Sequence, residues 1–188
     1  MTMARWKNTK GNSALLDPEE SCLLFIDFGG TVPGLRSDPP TIGPAHCAVL
    51  TKAVDLSVPA FLSYMGAEDA AGLHSPLSQL VPEEAQLRRS VVNPCRDDRH
   101  WETVSALKRH CLILAGGWPE GSLAQAALDA LGEAYDVYVL FDLSNGLLDV
   151  HNSPVAARLI QAGVVPMTAS QLILEWGDSE TLDPPSEE

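Results

Sequence analysis

A carboxylate closes the most apolar short segment of this 188-residue sequence. Asp27 follows the run Cys22-Leu-Leu-Phe-Ile, whose nearly continuous apolar side chains predict a buried β-strand. A carboxylate at the end of such a strand loses part of its hydration, which suits it to proton transfer. The alternative is an aspartate that only caps a turn through the Gly29-Gly30 pair. The sequence leaves both interpretations open.

A hydroxyl, Ser122, follows a second apolar run at the place where a helix is predicted to begin. The run Cys111-Leu-Ile-Leu114 predicts a buried strand, and an alanine-rich segment starts after Ser122. Backbone N–H groups are unpaired at a helix N-terminus, so a nucleophile there would have an oxyanion site beside it. An ordinary N-cap serine is the simpler interpretation. The preceding Trp118-Pro119 bond is one where a cis peptide costs little, and a cis bond would turn N–H groups inward.

Two adjacent cations, Arg88 and Arg89, precede the short apolar run Val91-Val92. Guanidinium groups at a buried strand hold anions or stabilise a carboxylate such as Asp27. The alternative is a pair of solvent-exposed arginines, which is the commoner situation.

The spacing of the remaining reactive residues argues against metal and phosphate chemistry. The five histidines show no metal-ligand spacing, and the four cysteines show no Cys-x-x-Cys pattern. These cysteines, which we expect to be free structural thiols, are Cys22, Cys47, Cys95 and Cys111. The chain has neither a Gly-rich phosphate loop after the first strand nor a Gly-x-Ser-x-Gly elbow. We therefore expect no metal and no cofactor.

Short apolar runs alternate with segments of helical periodicity. The predicted strands are 22–27, 58–64, 111–115, 136–141 and 164–167, with a weaker sixth run at 88–92. Helical spacing occurs around 45–54, 101–107, 123–131 and 155–162. This alternation predicts an α/β fold: a three-layer α/β/α sandwich with a mainly parallel, about six-stranded, Rossmann-like sheet. Ligands bind beyond the carboxyl ends of such strands, where Asp27 and the segment 116–122 lie.

The length and the 45% hydrophobic content suit a single domain, which we place at residues 20–176. Residues 1–19 are predicted to form an arm that packs on a partner subunit, and residues 177–188 an acidic, disordered tail. With the apolar segment 172–176, this arm predicts a homo-oligomer. The sequence shows no secretory signal and no run near the roughly 20 apolar residues of a membrane span, so we expect a cytoplasmic protein. The net charge of −13 argues against nucleic acid and anionic membranes as partners.

Several segments, in order along the chain, resemble the isochorismatase-like hydrolase superfamily, in particular its cysteine-hydrolase branch. The similarity runs from about Leu15 to Trp176. Segment 15–27 resembles the family's first strand with its catalytic aspartate, and Val92-Asn-Pro resembles the segment after its catalytic Lys or Arg. Segment 114–122 resembles the nucleophile loop, and segments 134–142 and 161–168 resemble the last two strands. The resemblance implies a hydrolase of a small-molecule substrate.

The resemblance also implies roles for single residues. Asp27, a basic residue and Ser122 would occupy the catalytic positions, and counting back from the strand at Leu112 favours Arg88 over Arg89 as the basic residue. The family's cis peptide falls on Trp118-Pro119, where it would shape the oxyanion pocket. The residues expected to bind substrate are Trp118, Pro119, Gly121, Gly29 and Arg89.

Ser122 departs from the family pattern, because the nucleophile loop usually ends in Cys. A hydroxyl is a much weaker nucleophile than a thiolate, since almost none of it is ionised near neutral pH without an activating base. The family also often has Gln shortly after the aspartate, where this chain has Gly29-Gly30. An Arg gives up its proton less readily than Lys, so its role would be electrostatic.

Three functions remain open. The first is hydrolysis of a small amide, imide or ester, with Asp27 as general base, Arg88 stabilising charge and Ser122 attacking, whether Ser122 is natural or replaces a Cys. The second is vinyl-ether cleavage as in true isochorismatases, which lack the Cys and use an aspartate as proton donor. The third is a non-catalytic member that binds a ligand or a partner through a degraded site.

Overall fold

A computed structural model of the chain describes residues 15–29, 40–65, 76–145, 147 and 153–177. Most of the predicted N-terminal arm, Gly30 and nearly all of the acidic tail lie outside these ranges. The remaining description therefore concerns the predicted domain.

Six strands within the described ranges form one sheet, and all neighbouring strands are parallel. The strands are β1 (Ser21–Ile26), β2 (Ala60–Met65), β3 (Gln86–Arg89), β4 (Cys111–Gly116), β5 (Asp136–Leu140) and β6 (Val165–Met167). Their spatial order is β3-β2-β1-β4-β5-β6. The predicted parallel sheet is confirmed, and the weak sixth run proves to be β3. This strand ends before Val91-Val92, because that pair belongs to the turn that follows.

Within the described ranges, five α-helices connect and cover the strands. They are α1 (Pro44–Asp55), α2 (Asp98–Ser105), α3 (Ala124–Gly132), α4 (Pro154–Ala162) and α5 (Ala169–Trp176). Helix α1 packs against α5, and α3 packs against α4. Helices on both faces of the parallel sheet give the predicted three-layer α/β/α sandwich.

Strand β1 lies at the centre of the core, between β2 and β4. All six of its residues are buried, as expected for a strand covered on both faces. Phe25 is 1% exposed, and burial of a large apolar side chain such as this one contributes about 2 kcal/mol. The register, which pairs Leu24 with Leu114 of β4, is therefore strongly specified. This packing determines where the next residue, Asp27, emerges.

Helix α5 explains the apolar C-terminal segment 172–176. Thr168 begins it with a capping box, in which the Thr168 side chain accepts from the Gln171 N–H and the Gln171 side chain accepts from the Thr168 N–H. Leu172 and Trp176 are buried against the chain's own core, while Leu174 is 76% exposed. Most of this segment therefore packs on the chain's own core, which reduces the apolar surface expected for a partner to the exposed Leu174.

No helix in the described ranges is long and apolar enough to cross a membrane. No group of three or more His, Cys, Asp or Glu residues in those ranges is placed to hold a metal ion. All four cysteines are free thiols, as predicted.

Candidate active site

The candidate site lies at the carboxyl edge of the sheet, at the point where the strand order reverses. From β1 the chain proceeds to β2 and β3 on one side, and from β4 to β5 and β6 on the other. A crevice therefore forms beyond the carboxyl ends of β1 and β4, which is where open α/β sheets bind ligands. Asp27 follows β1 directly, and the loop with Ser122 follows β4. The topology thus brings together two residues that are 95 positions apart.

The backbone of Asp27 is left-handed, with φ of 57°. This conformation is uncommon outside glycine, although Asp tolerates it better than most residues. The Asp27 N–H still donates to the Ser63 carbonyl at 2.7 Å, so pairing with β2 continues up to this residue. The Met65 N–H donates to Asp27 Oδ1 at 3.2 Å. The end of β2 therefore holds both the backbone and the side chain of Asp27.

One carboxylate oxygen, Asp27 Oδ2, accepts two hydrogen bonds in the protein interior. Arg89 Nη2 donates to it at 2.5 Å, and the Ser122 hydroxyl donates to the same oxygen. The side chains of Arg89 and Asp27 are 0% and 3% exposed, and Ser122 is fully buried. The structure therefore assembles a carboxylate, a cation and a hydroxyl into one buried cluster.

The Arg89 guanidinium donates hydrogen bonds from three of its nitrogens, including the bond to Asp27. Nη1 donates to Ser63 Oγ at 2.8 Å, and Nε donates to the carbonyls of Val91 and Val92 at 3.0 and 3.2 Å. Burial lowers the pKa of Arg89 from its ordinary value, and the negative charge of Asp27 opposes this shift. The group remains charged, since arginine is effectively always protonated in proteins. It is a fixed cation whose orientation is set by β2 and by the turn after β3.

Arg89, and not Arg88, is the cation beside Asp27, which corrects the expectation from sequence. Arg88 is exposed on β3, level with Tyr64 of β2, and it lines a wide polar cleft with Arg99. Strand alternation would place Asp27 on the same face as Arg88, because Asp27 lies one residue beyond the last β1–β2 pair and so level with Tyr64. The left-handed backbone at Asp27 breaks that alternation, and the carboxylate meets Arg89 instead.

Ser122 lies in a π-helical turn, Pro119–Leu123, that leads into α3. Such turns are rare and are frequent at functional sites. The N–H groups of Gly121 and Leu123 both donate to the Trp118 carbonyl at 3.3 Å, so they are used within the turn. The Ser122 hydroxyl donates to Asp27 and does not cap α3. The N-cap position of α3 is Leu123, and no side chain caps the helix there. The N-cap interpretation is therefore wrong.

Two glycines allow the loop to take this shape. A Cβ on Gly121 would overlap the Trp118 ring, so the indole packs directly over the backbone of the turn. A Cβ on Gly117 would collide with the Asp27 carbonyl and with Pro40. The Gly117 N–H in turn donates to the Ile26 carbonyl at 2.8 Å. Close backbone approach at these positions brings Ser122 over the end of β1.

The peptide bond between Trp118 and Pro119 is trans, because no bond within the described residues is cis. The predicted cis bond is therefore wrong. Trans is the ordinary isomer of an X-Pro bond, and Pro119 stands at the first position of a helical turn, where its restricted φ is favourable. The π-helical turn, rather than a cis bond, shapes the loop.

Gly29, the remaining predicted binding residue, lies beside the cluster rather than in it. It lines a small cavity of about 20 Å³ together with Phe28, Ser63 and Tyr64. This volume suits roughly one water molecule. The cavity adjoins the site through Ser63, which also contacts Arg89.

Sequence reasoning missed two contributors from β2, Ser63 and Met65. Ser63 is 1% exposed and accepts from Arg89, while Met65 acts only through its backbone N–H. The one signal for Ser63 is a hydroxyl inside an otherwise apolar strand. The contribution of Met65 cannot be predicted from its residue type, because it comes from a backbone N–H group that every residue except proline has.

Comparison with solved structures relates this architecture to known proteins. YcaC from Pseudomonas aeruginosa, in a structure with hexane-2,5-diol and covalent acrylamide, has a TM-score of 0.73 and 24% identity, covering 86% of this chain and 82% of that chain. YcaC from Escherichia coli, an octameric hydrolase of unknown specificity, has a TM-score of 0.73 and 24% identity, covering 88% and 83%. An isochorismatase family protein from Burkholderia thailandensis has a TM-score of 0.63 and 12% identity, covering 86% and 97%. The chain matches no protein-family model and no curated protein. These structural matches establish that the chain has the isochorismatase-like fold.

Proposed function

We propose that this chain is a hydrolase that cleaves a small ester, amide or imide, with Ser122 as nucleophile and Asp27 as general base. The observation that carries the proposal is the hydrogen bond from the Ser122 hydroxyl to Asp27 Oδ2, the oxygen that Arg89 also binds. A nucleophile whose proton already points at a base is the arrangement that nucleophilic catalysis needs. The isochorismatase-like fold of known hydrolases supports the same class of reaction.

The reaction proceeds in two displacement steps. Ser122 Oγ bonds to the substrate carbonyl carbon while its proton passes to Asp27, and the bond to the leaving amine or alcohol then breaks as Asp27 returns that proton. Water attacks the resulting Ser122 ester, giving one proton to Asp27, and the acid product leaves as Ser122 recovers a proton. Arg89 stabilises the Asp27 carboxylate before each proton is received and again after that proton has been returned.

The hydroxyl sets the speed of this chemistry. An alcohol gives up its proton much less readily than a thiol, and a carboxylate is a weak base for it. We therefore expect slow turnover by the chain as it stands and faster turnover after Ser122→Cys, since the same carboxylate would then receive a thiol proton.

A second candidate is cleavage of a vinyl ether with Asp27 as proton donor and no nucleophile. The low acidity of the Ser122 hydroxyl favours it, because in this reaction the hydroxyl needs only to hold the Asp27 side chain in place by a hydrogen bond. A third candidate is a non-catalytic binding protein, in which the cluster of Asp27, Arg89 and Ser122 has only a structural role.

Turnover of matched variants tests these candidates. The chain, Ser122→Ala, Ser122→Cys and Asp27→Asn are assayed on small esters, amides, imides and isochorismate, with the exposed Ser105→Ala as the control serine. We expect activity in the chain, a loss of at least about 1,000-fold in Ser122→Ala and Asp27→Asn, and a gain in Ser122→Cys.

Other outcomes contradict the proposal in distinct ways. Activity that survives Ser122→Ala but not Asp27→Asn indicates Asp27 chemistry of the vinyl-ether type. No turnover by the chain or by Ser122→Cys, with every variant folded, indicates a binding role.

We also propose that the chain forms a homo-oligomer. The octameric assembly of Escherichia coli YcaC and the exposed Leu174 support this. A monomer mass by light scattering at micromolar concentration would contradict it.

A further inference from the structure

We propose that Ser63 is a positioning residue of this site, acting through Arg89, and that the basic position is built for a guanidinium rather than an ammonium group. The inference rests on the proposed function, in which Asp27 receives the proton of Ser122. It goes further by giving a role to a residue of β2 that contacts neither the hydroxyl nor the substrate carbonyl in the reaction above.

The surroundings of Arg89 match a planar fork. Its acceptors are the Asp27 carboxylate, the Ser63 hydroxyl and the carbonyls of Val91 and Val92, and they engage three different nitrogens. A lysine carries one nitrogen on a flexible stem and cannot place donors at all of these positions at once. Arg89→Lys would therefore leave at least one of these acceptors without its donor, although the charge is kept.

Ser63 is bonded to both members of the ion pair. Its carbonyl accepts from the Asp27 N–H at 2.7 Å, and its hydroxyl accepts from Arg89 Nη1 at 2.8 Å. One residue, 1% exposed, therefore ties the backbone of the base to the side chain of the cation. Its position determines which face of the guanidinium meets the carboxylate.

Loss of the Ser63 hydroxyl would disturb the oxygen that receives the proton. Nη1 would become a buried donor without a partner, so the guanidinium would rotate toward another acceptor. Nη2 and Ser122 share Asp27 Oδ2, and rotation of Arg89 changes that shared contact directly. The expected effect is therefore on the chemical step more than on substrate binding.

The first experiment compares Ser63→Ala with Ser63→Thr. We expect Ser63→Ala to lower kcat by about 10- to 100-fold, the usual range for a lost hydrogen bond to a charged group, with KM little changed. Ser63→Thr should keep most of the activity, because it keeps the hydroxyl and its extra methyl can enter the cavity that Ser63 lines. Ser63→Cys, which is close in volume but a poorer acceptor, repeats the test should Ser63→Ala fail to fold.

A double-mutant cycle separates positioning from general stability. In an Arg89→Lys background, Ser63→Ala should cause no further loss of kcat, because its route to Asp27 is already broken. The control is Ser144→Ala, which removes a buried hydroxyl bonded to Gly116 and Leu140 and should cost the same factor in both backgrounds. An equal loss from Ser63→Ala in both backgrounds would overturn the proposal.

A second readout does not depend on turnover. The thiol introduced by Ser122→Cys is alkylated with iodoacetamide across pH and followed by mass spectrometry of its peptide. Adding Ser63→Ala should move the pH profile upward, since a displaced Arg89 stabilises the thiolate less, and adding Ser63→Thr should not.

The two readouts distinguish the inference from the proposed function. An upward shift of the alkylation pH profile on Ser63→Ala, with no turnover by the chain or any variant, would support the role of Ser63 and contradict the proposed hydrolase activity. Turnover by the chain with neither readout responding to Ser63→Ala retains the hydrolase and overturns the role of Ser63.

Discussion

At the scale of single residues, the Asp27–Arg89 pair is costly to bury and is fully bonded once buried. Removing two charges from water costs several kcal/mol each, which close contact repays only when other hydrogen bonds satisfy the remaining donors and acceptors. Here Ser63, Met65 and Ser122 supply those bonds. A buried ion pair of this kind adds little to stability when both partners are present. Removal of one partner leaves the other as an unpaired buried charge.

Removal of the cation should therefore destabilise the fold. We expect Arg89→Met to lower the free energy of unfolding by about 3 kcal/mol, because Asp27 would stay buried without its partner. Urea unfolding measures the change, and the exposed Arg158→Met, expected within about 0.5 kcal/mol of the parent, is the control. Adding Asp27→Asn to Arg89→Met should recover part of the loss. Equal stability of the two arginine variants would contradict the prediction.

At the scale of elements, the π-helical turn before α3 is held by small residues and by one aromatic ring. Gly121 lies under the Trp118 indole, and the turn's N–H groups bond back to the Trp118 carbonyl. The position of Ser122 therefore depends on a backbone that admits no side chain at one point.

A methyl group at that point should disturb both stability and activity. We expect Gly121→Ala to cost about 1 to 3 kcal/mol in urea unfolding, since the indole must move, and to lower turnover as Ser122 shifts. Gly132→Ala in α3 is the matched control, because nothing lies within 4 Å of its added Cβ. Alanine in that helix should be neutral or stabilising by about 0.5 to 1 kcal/mol. Similar effects of the two substitutions would show that Trp118 does not restrict the turn.

At the scale of the whole molecule, one buried and two half-buried thiols couple the stability of the fold to alkaline pH. Burial raises the pKa of Cys22 to about 12, of Cys95 to about 12 and of Cys111 to about 11, from an ordinary 9.0. At pH values between the ordinary pKa of 9.0 and these raised pKa values, the unfolded chain has lost thiol protons that the folded chain keeps. The unfolded state therefore binds fewer protons, and stability falls as pH rises.

We expect the free energy of unfolding to hold up to about pH 9 and then to decline toward pH 12. Cys22 alone contributes at most about 1.4 kcal/mol per pH unit over this window. Urea unfolding at pH 8 and pH 10 measures the slope, and Cys22→Val should make it shallower. Leu24→Ala, a core substitution without an ionisable group, should lower stability equally at both pH values. A slope unchanged by Cys22→Val would contradict the prediction.

The sequence by itself determined the sheet and the edge at which a site would form. Runs such as 22–26 and 111–114 are apolar throughout because both faces of their strands are covered, and that pattern can be read without the fold. The carboxyl ends of parallel strands meet at one edge, so a meeting of Asp27 and Ser122 could be expected from order alone.

Only the tertiary structure decided which cation joins Asp27 and Ser122 at that edge, and how the loop before Ser122 is shaped. Strand alternation stops at Asp27, where a left-handed backbone turns the carboxylate from the side of Arg88 to Arg89. The trans bond and the π-helical turn before Ser122 are likewise set by packing around the loop, with the Trp118 ring over the turn. The direction of the Asp27 side chain and the shape of this loop depend on single backbone angles and on neighbours distant in the chain. Residue types and spacing therefore do not predict them.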